Sequence, residues 1–203
     1  GVHYVPRTRL GRDIFLDELA REWGFSAVVL CNGAWKDRPL PVDGADRYVG
    51  RGLVYQNPLI IWFNHLFDPA YDGPRFELSD GIPVVGGGLA SIDVMKLLML
   101  GNVHRALRAR GIDVGHFEEF EQGGVPEMLG KHGLTLEQLG VKPSTLYYRR
   151  RIEDMPLAEV PAGANEEKRA KVEATRKKMV DKATEKFGFK VEPLCAPEAL
   201  IIE

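Results

Sequence analysis

The chain has 203 residues, 44% of them hydrophobic and 28% charged, and its 27 Lys and Arg against 29 Asp and Glu leave a formal net charge of −2. That length accommodates one large or two small domains whose core needs no disulfide staple, and the near-neutral balance excludes a bulk polyanion binder, so no nucleic acid is expected as a partner. Cys31 and Cys195 are too few for a disulfide scaffold or a multi-cysteine zinc site, no apolar run approaches the ~20 residues of a membrane span, and Gly1–Leu10 shows no apolar signal-peptide core. A cytoplasmic α/β protein with no membrane partner is expected.

Val2–Val5 reads as a strand without a preceding turn, and Ala199–Glu203 as an apolar strand without a following one. Two explanations stand: terminal edge strands tucked into a sheet, or a chain cut from a longer protein, which we favour. Asp13–Trp23 predicts a short helix with Asp13 as N-cap and Gly24 just past its end. Ala27–Cys31 is a short continuous apolar run, the pattern of a buried parallel strand, with Cys31 as a packed thiol, and Asn32-Gly33 is a tight turn. Asp37–Asp46 is a Pro- and Gly-rich connector. Tyr55–Phe67 predicts a helix after Pro58, in which Trp62, Asn64 and His65 either face a ligand or pack, packing being favoured. Asp68–Pro83 is a turn-rich link.

Pro83-Val84-Val85 then leads into Gly86-Gly87-Gly88 and the apolar dozen Leu89–Leu100, predicted as a buried helix that Gly101 ends. Between His104 and Gly140 the pattern is weaker, with helical pieces near Val125–Leu129 and Thr135–Leu139. Ser144–Arg149 predicts a strand. Asn165–Phe187 predicts a long amphipathic helix with Val172, Met179, Ala183 and Phe187 on one stripe. Phe189–Leu194 and Ala199–Glu203 are the expected closing strands.

A strand, then G-x-G-x-x-S, then a buried helix is the pattern of a dinucleotide-binding βα turn. Gly86 would permit the tight turn, Gly88 would let the backbone approach a pyrophosphate, and Ser91 is small enough for close helix–strand packing. The amides at the helix start, Leu89, Ala90 and Ser91, together with the helix dipole, would hold the phosphates. In such a unit the residue after the second strand meets the adenine ribose: an acid accepts the 2′-hydroxyl, whereas arginine accommodates a 2′-phosphate. Here Tyr147-Tyr148 is followed by Arg149-Arg150-Arg151. Bidentate guanidinium pairing with phosphate therefore favours NADPH over NADH. The arginines also count against a methyltransferase-like site, which wants an acid there. The usual spacing from glycine turn to ribose contact is about 20 residues, and Gly88 and Arg149 are much further apart, so residues 102–142 are read as an insertion.

V-V-G-G-G-L-A-S-I-D (Val84–Asp93) and Y-R-R-R-I-E-D-M-P (Tyr148–Pro156) resemble the NADPH-binding domain of the glutamate synthase small subunit, within the FAD-dependent pyridine nucleotide–disulfide oxidoreductases. Leu10–Leu19, Ala27–Lys36 and Pro41–Asp46 are similar to the segment that precedes the nucleotide domain in that family, where a turn matching Cys31-Asn32-Gly33 passes close to FAD. The resemblance implies an α/β fold: a Rossmann-like parallel sheet with flanking helices that binds NAD(P), plus a partial piece of an FAD-binding domain. It divides the chain into a partial FAD-domain segment (1–50), a helical connection (51–81) and a C-terminally truncated NAD(P)H-binding domain (82–203). The implied cofactors are NADPH or NADH, with FAD in the full-length protein, and Asn32 and Gly33 join the cofactor-binding residues. A hydride would pass from NADPH to flavin and electrons onward to an acceptor protein or subunit; a homo-oligomer is left open.

The flavin-type glycine motif, the C-terminal acidic flavin motif and the redox C-x-x-C of disulfide reductases are absent from these residues, so the chain alone is expected to be inactive. Ile152 stands where the family often has another arginine or polar residue, which rests the phosphate contacts on Arg149 and Arg150. No metal is expected, His116 beside Glu118, Glu119 and Glu121 being the nearest approach to a site. The alternative from another class is a non-catalytic interaction module with a degenerate Rossmann fold.

Overall fold

The computed structural model describes residues 2–31, 33, 36–66, 68–115 and 117–200, with the backbone alone for 117–119. The chain divides into two compact units, Gly1–Lys36 and Asp37–Glu203.

The first unit holds one short helix, α1 (Leu16–Arg21). Asp13 is not its N-cap. The Asp13 carboxylate accepts from the Arg9 amide at 2.8 Å and pairs with Arg12 at 2.7 Å, closing the turn before the helix. The helix start is satisfied instead by Glu18, whose carboxylate accepts from the Phe15 amide at 2.7 Å. Gly24 adopts the left-handed conformation (φ 70°) that a helix C-terminus favours. The expected strands Val2–Val5 and Ala27–Cys31 are not strands in the structure, and Val2 and Val29 are 98% and 83% exposed. Strands exist through the ladder, and no second strand lies among the described residues of this unit. Cys31 is correspondingly exposed rather than packed.

In the second unit α2 (Gln56–Asn64) begins two residues before Pro58, a position where the missing amide costs nothing because first-turn amides lack intrahelical partners. The Asp37 carboxylate accepts from the Asn57 amide at 3.3 Å. Leu59 and Trp62 are buried, and Trp62 meets Phe76 edge to face at 5.7 Å; packing is their role here.

The chain then runs β1 (Pro83–Val85), α3 (Leu89–Ala109), α4 (Phe117–Gly123), α5 (Val125–Lys131), α6 (Leu136–Leu139), β2 (Thr145–Tyr148), α7 (Glu166–Phe187) and β3 (Lys190–Pro193). The sheet order is β1-β2-β3 and both pairings are parallel, with Val85 opposite Tyr147 and Tyr148 opposite Pro193. Each step between neighbouring strands passes through helix, so this is a βαβαβ arrangement of the kind that builds a mononucleotide-binding half of a doubly wound fold.

Helix α3 is the spine. One side packs Met95, Met99, Val103 and Leu107 into the main core with Leu146, Met155, Phe187 and Phe189. The other side packs Val94 and Leu98 against Leu59 and Trp62. Burial on two sides explains why its sequence is apolar on nearly every face. Gly101 does not end it. The helix runs through Gly101 to Ala109 because Val103 and Leu107 continue the buried stripe without any exposure, against roughly 1 kcal/mol for an interior glycine. A Cβ on Gly101 would stand 3.2 Å from Leu78, so the small residue admits that crossing chain.

Helices α5 and α6 lie where the helical pieces were expected. Thr135 opens α6 with a reciprocal cap: its hydroxyl accepts from the Gln138 amide at 3.2 Å, and its own amide donates to the Gln138 side chain at 2.9 Å. Phe120, Val125, Leu129 and Val141 bury into the same core as α3. Helix α7 starts on Asn165, whose side-chain oxygen accepts from the Lys168 amide, and stops at Gly188 (φ 73°). Its buried stripe includes Val180 rather than Met179, which is 37% exposed. The intervening core-side position belongs to Arg176, whose guanidinium donates to the carbonyls of Glu153 and Ala158. Strand β3 lies within the expected Phe189–Leu194; Ala199 and Leu200 are not in a strand, and 201–203 lie outside the described residues.

Candidate functional site

The glycine turn and the arginine run leave the sheet side by side. β1 and β2 are adjacent and parallel, so the residues after Val85 and after Tyr148 emerge at the same, C-terminal edge. In open α/β sheets ligands bind outside the carboxyl ends of the strands. The ladder extends one step into the turn, where the Gly86 amide donates to the Tyr147 carbonyl at 3.1 Å.

The three glycines do different jobs, and none adopts the left-handed conformation. A Cβ on Gly86 would come within 2.8 Å of the Ser91 Cβ, so this glycine permits the helix to pack closely on the strand. A Cβ on Gly87 would sit 2.2 Å from the ring of Tyr148. A Cβ on Gly88 would meet nothing within 4 Å. Gly86, expected to permit the tight turn, is required by close packing against Ser91, and Gly88 is the glycine that faces open space. Gly88 is also the N-cap of α3, with Leu89 and Ala90 opening the helix. The Ser91 hydroxyl and amide both turn back to the Gly88 carbonyl, at 2.6 and 3.0 Å. The amides of Leu89 and Ala90, at the positive end of a 21-residue helix, are placed where an anion could be received. Val85 and Leu89, apolar residues flanking the turn, are about half exposed.

The arginines are not equivalent either. Arg149 is exposed, and no hydrogen bond or ion pair engages it among the described residues. Arg150 donates from Nε to the Tyr148 hydroxyl at 3.1 Å, with its guanidinium carbon 5.8 Å from the centre of that ring. Arg151 forms a two-point pair with Asp154, Nε to Oδ2 at 3.1 Å and an Nη to Oδ1 at 3.0 Å. That pair holds the Asp154 carboxyl below its ordinary range, through the hydrogen bonds from Arg151 first, against a smaller opposing effect of desolvation. Arg149 and Arg150 thus remain available to an anion, while Arg151 is matched. The loop is itself tied down: the Leu194 and Cys195 amides, just past β3, donate to the Arg150 and Tyr148 carbonyls at 3.2 and 2.9 Å.

Sequence reasoning missed Tyr148 as the side chain that joins the two motifs, and missed the Arg151–Asp154 pair. The second had a readable signal, opposite charges three residues apart. Gly33 adopts φ 64°, and Asn32, the other residue of the expected turn, lies outside the described residues. His116 also lies outside them, and among the described residues no group of three or more His, Cys, Asp or Glu side chains is gathered to hold a metal. Among the described residues no helix is long and apolar enough to cross a membrane.

Comparison with known proteins finds oxidoreductases. The chain is 34% identical over 97 residues to cindoxin reductase of Citrobacter braakii, an overlap covering 48% of this chain and 20% of that protein. It is 33% identical over 96 residues to the NADPH glutamate synthase small chain of Bacillus subtilis, covering 46% of this chain and 18% of the relative. It is 33% identical over 99 residues to the β subunit of NADPH-Fe(3+) oxidoreductase of Geobacter sulfurreducens, covering 49% and 13%. The chain is similar to oxidoreductases. The resemblance to the glutamate synthase small subunit, carried by the Gly-Gly-Gly and Tyr-Arg-Arg-Arg segments, is borne out by these relatives. The matched part spans a fifth or less of the length of each of them. No family model and no solved structure matches the chain.

Proposed function

We propose that residues 82–203 bind a nicotinamide dinucleotide, NADPH in preference to NADH, as the nucleotide-binding part of a longer FAD-dependent oxidoreductase. The single observation that carries this reading is the parallel pairing of β1 with β2, which brings an open, Cβ-free helix N-terminus to the same sheet edge as two guanidinium groups that no carboxylate matches among the described residues, Arg149 without a partner there and Arg150 engaged at Nε alone. The turn Gly86-Gly87-Gly88 with the amides of Leu89 and Ala90 takes the pyrophosphate, and Ser91, whose amide and hydroxyl bond the Gly88 carbonyl, shapes the turn. Arg149 and Arg150 take the 2′-phosphate, which NADH lacks. Two of the relatives named above carry NADPH in their names, which supports this choice of ligand.

The domain scheme belongs to the same proposal, with residues 1–50 as a strip of a flavin domain and 51–81 as a connection. The chemistry such a dinucleotide would supply is a hydride to the flavin of the longer protein, from which electrons would go on to an electron-acceptor protein or subunit. What this chain contributes is binding and orientation: the glycine turn fixes the phosphates, and the arginines select the phosphorylated ribose.

Titration of the chain with NADPH and NADH tests the reading. NADPH should bind more tightly, and Arg149→Ala and Arg150→Ala should each weaken NADPH by about tenfold or more while leaving NADH within about twofold, since a hydrogen bond to a charged group contributes about 1.5–3 kcal/mol. Equal affinity for the two dinucleotides removes the arginine assignment. Binding of neither supports the interaction-module alternative.

A further inference from the structure

We infer that Tyr148 is a positioning residue for coenzyme selection: its hydroxyl aims the Arg150 guanidinium and its ring backs the glycine turn, so one side chain couples the 2′-phosphate site to the pyrophosphate site. This rests on the dinucleotide reading above and deepens it. Four contacts carry it. The Tyr148 hydroxyl donates to the Asp154 carbonyl at 3.0 Å, which fixes the phenol against the loop that follows β2. The same oxygen accepts from Arg150 Nε at 3.1 Å. The ring lies where a Gly87 Cβ would be, and it is 94% buried, so it cannot swing away without opening the core. The Cys195 amide holds the Tyr148 carbonyl at 2.9 Å.

The consequence for Arg150 follows from guanidinium geometry. The planar fork presents its N–H groups along fixed edges. With Nε committed to the phenol, the edge made by the two Nη groups is left, and no hydrogen bond to either Nη is made among the described residues. An arginine pinned at Nε has lost its rotamer freedom before the ligand arrives, so less entropy opposes phosphate binding. A lysine at this position could not be pinned at one atom while offering two others in a plane. Arg151 completes the arrangement by occupying the Asp154 carboxylate, which would otherwise stand as an acceptor beside Arg150.

The test is a double-mutant cycle read as the ratio of NADH to NADPH dissociation constants, measured by calorimetry on the full chain. Tyr148→Phe keeps the ring beneath Gly87 and removes only the hydroxyl. It should lower the NADPH preference about tenfold, the effect expected from losing the alignment of one charge-assisted contact, while NADH affinity stays within about twofold. In an Arg150→Ala background the same substitution should leave the ratio unchanged. Arg150→Lys, which keeps the charge and loses the fork, should resemble Tyr148→Phe. Because removal of a buried hydroxyl could loosen the fold, the thermal transition of each variant is measured alongside; a structural effect lowers both affinities together and persists in the Arg150→Ala background, and that result overturns the inference. If the unmodified chain prefers NADPH and Tyr148→Phe retains the full preference, the positioning role fails while the dinucleotide reading survives. If the unmodified chain binds both dinucleotides without preference, the arginine assignment and the positioning role fail while dinucleotide binding stands, and if it binds neither, both readings fail.

Discussion

Two neighbouring glycines offer a separation of fold from site by one methyl group each. In Gly87→Ala the new Cβ would stand 2.2 and 2.4 Å from two ring carbons of Tyr148. Ordinary carbon–carbon contact begins near 3.5 Å, so turn and ring must part by more than about 1 Å. The ring is 6% exposed and its hydroxyl is held by Asp154 and Arg150, which leaves it no low-cost retreat. Overpacking of this kind costs about 1–3 kcal/mol, or roughly 5 °C of melting temperature for a unit in the 150–250-residue class. In Gly88→Ala the methyl meets nothing within 4 Å, and φ −87°, ψ 174° is extended backbone open to any residue. Alanine is a poorer N-cap than glycine by up to about 1 kcal/mol, and it loses about 0.4–1 kcal/mol less backbone freedom on folding. The two nearly cancel, so the melting temperature should stay within about 2 °C. The same methyl nevertheless occupies the surface that the pyrophosphate must approach, and NADPH affinity should drop about tenfold or more. Thermal unfolding by circular dichroism and NADPH titration on both variants make the assay. Equal destabilisation by the two substitutions, or unaltered NADPH binding by Gly88→Ala, would refute the division of labour in the turn.

Other consequences concern charge. Arg151→Ala frees the Asp154 carboxylate beside Arg150; NADPH binding should weaken several-fold with NADH little changed, and the difference should shrink in high salt as the exposed charges are screened. The same pair has a pH signature with a definite sign. The Asp154 carboxyl is lowered from 3.8, so the stability it contributes is present above pH 4 and is lost as pH falls through the lowered value; chemical denaturation should show the gap between wild type and Arg151→Ala closing below pH 4. His104 has a pH signature of its own. Desolvation, helped by the nearby Arg108, lowers it from 6.5, so the unfolded chain binds the proton more readily and stability declines as pH falls from 7.5 through 6.5. His104→Gln should flatten that part of the melting-temperature profile, and an unchanged slope would show that another group carries it.

The elements legible in the sequence are those whose limits are set by local chemistry. Asn165 and Gly188 bound α7 because one caps amides and the other reaches the left-handed region, and both statements concern single residues. The strand–glycine–helix run is legible for the same reason, as is a strand ending in arginines. What stayed hidden depends on partners far along the chain. Gly101 reads as a stop until Leu78 is seen crossing it. Met179 and Val180 are equally apolar, and only the placement of Arg176 against the carbonyls of Glu153 and Ala158 decides which one faces the core. Ala27–Cys31 has strand composition, but composition cannot supply the neighbour that a strand must pair with.

The arginine run shows most plainly why a motif is less than a site. In the sequence Arg149, Arg150 and Arg151 are one block of positive charge. In the structure they have three electrostatic situations: Arg149 uncommitted, Arg150 pinned at one nitrogen, and Arg151 matched by Asp154. The local excess is therefore carried by the two residues nearest the end of β2, at the sheet edge where the glycine turn emerges. A field concentrated in this way suits one phosphate held by geometry rather than polyanions attracted by bulk charge, so a net charge of −2 is compatible with the proposed phosphate site. The acid at Asp154 belongs to that design rather than opposing it: paired with Arg151 it anchors the loop, and its backbone carbonyl holds the phenol that aims Arg150.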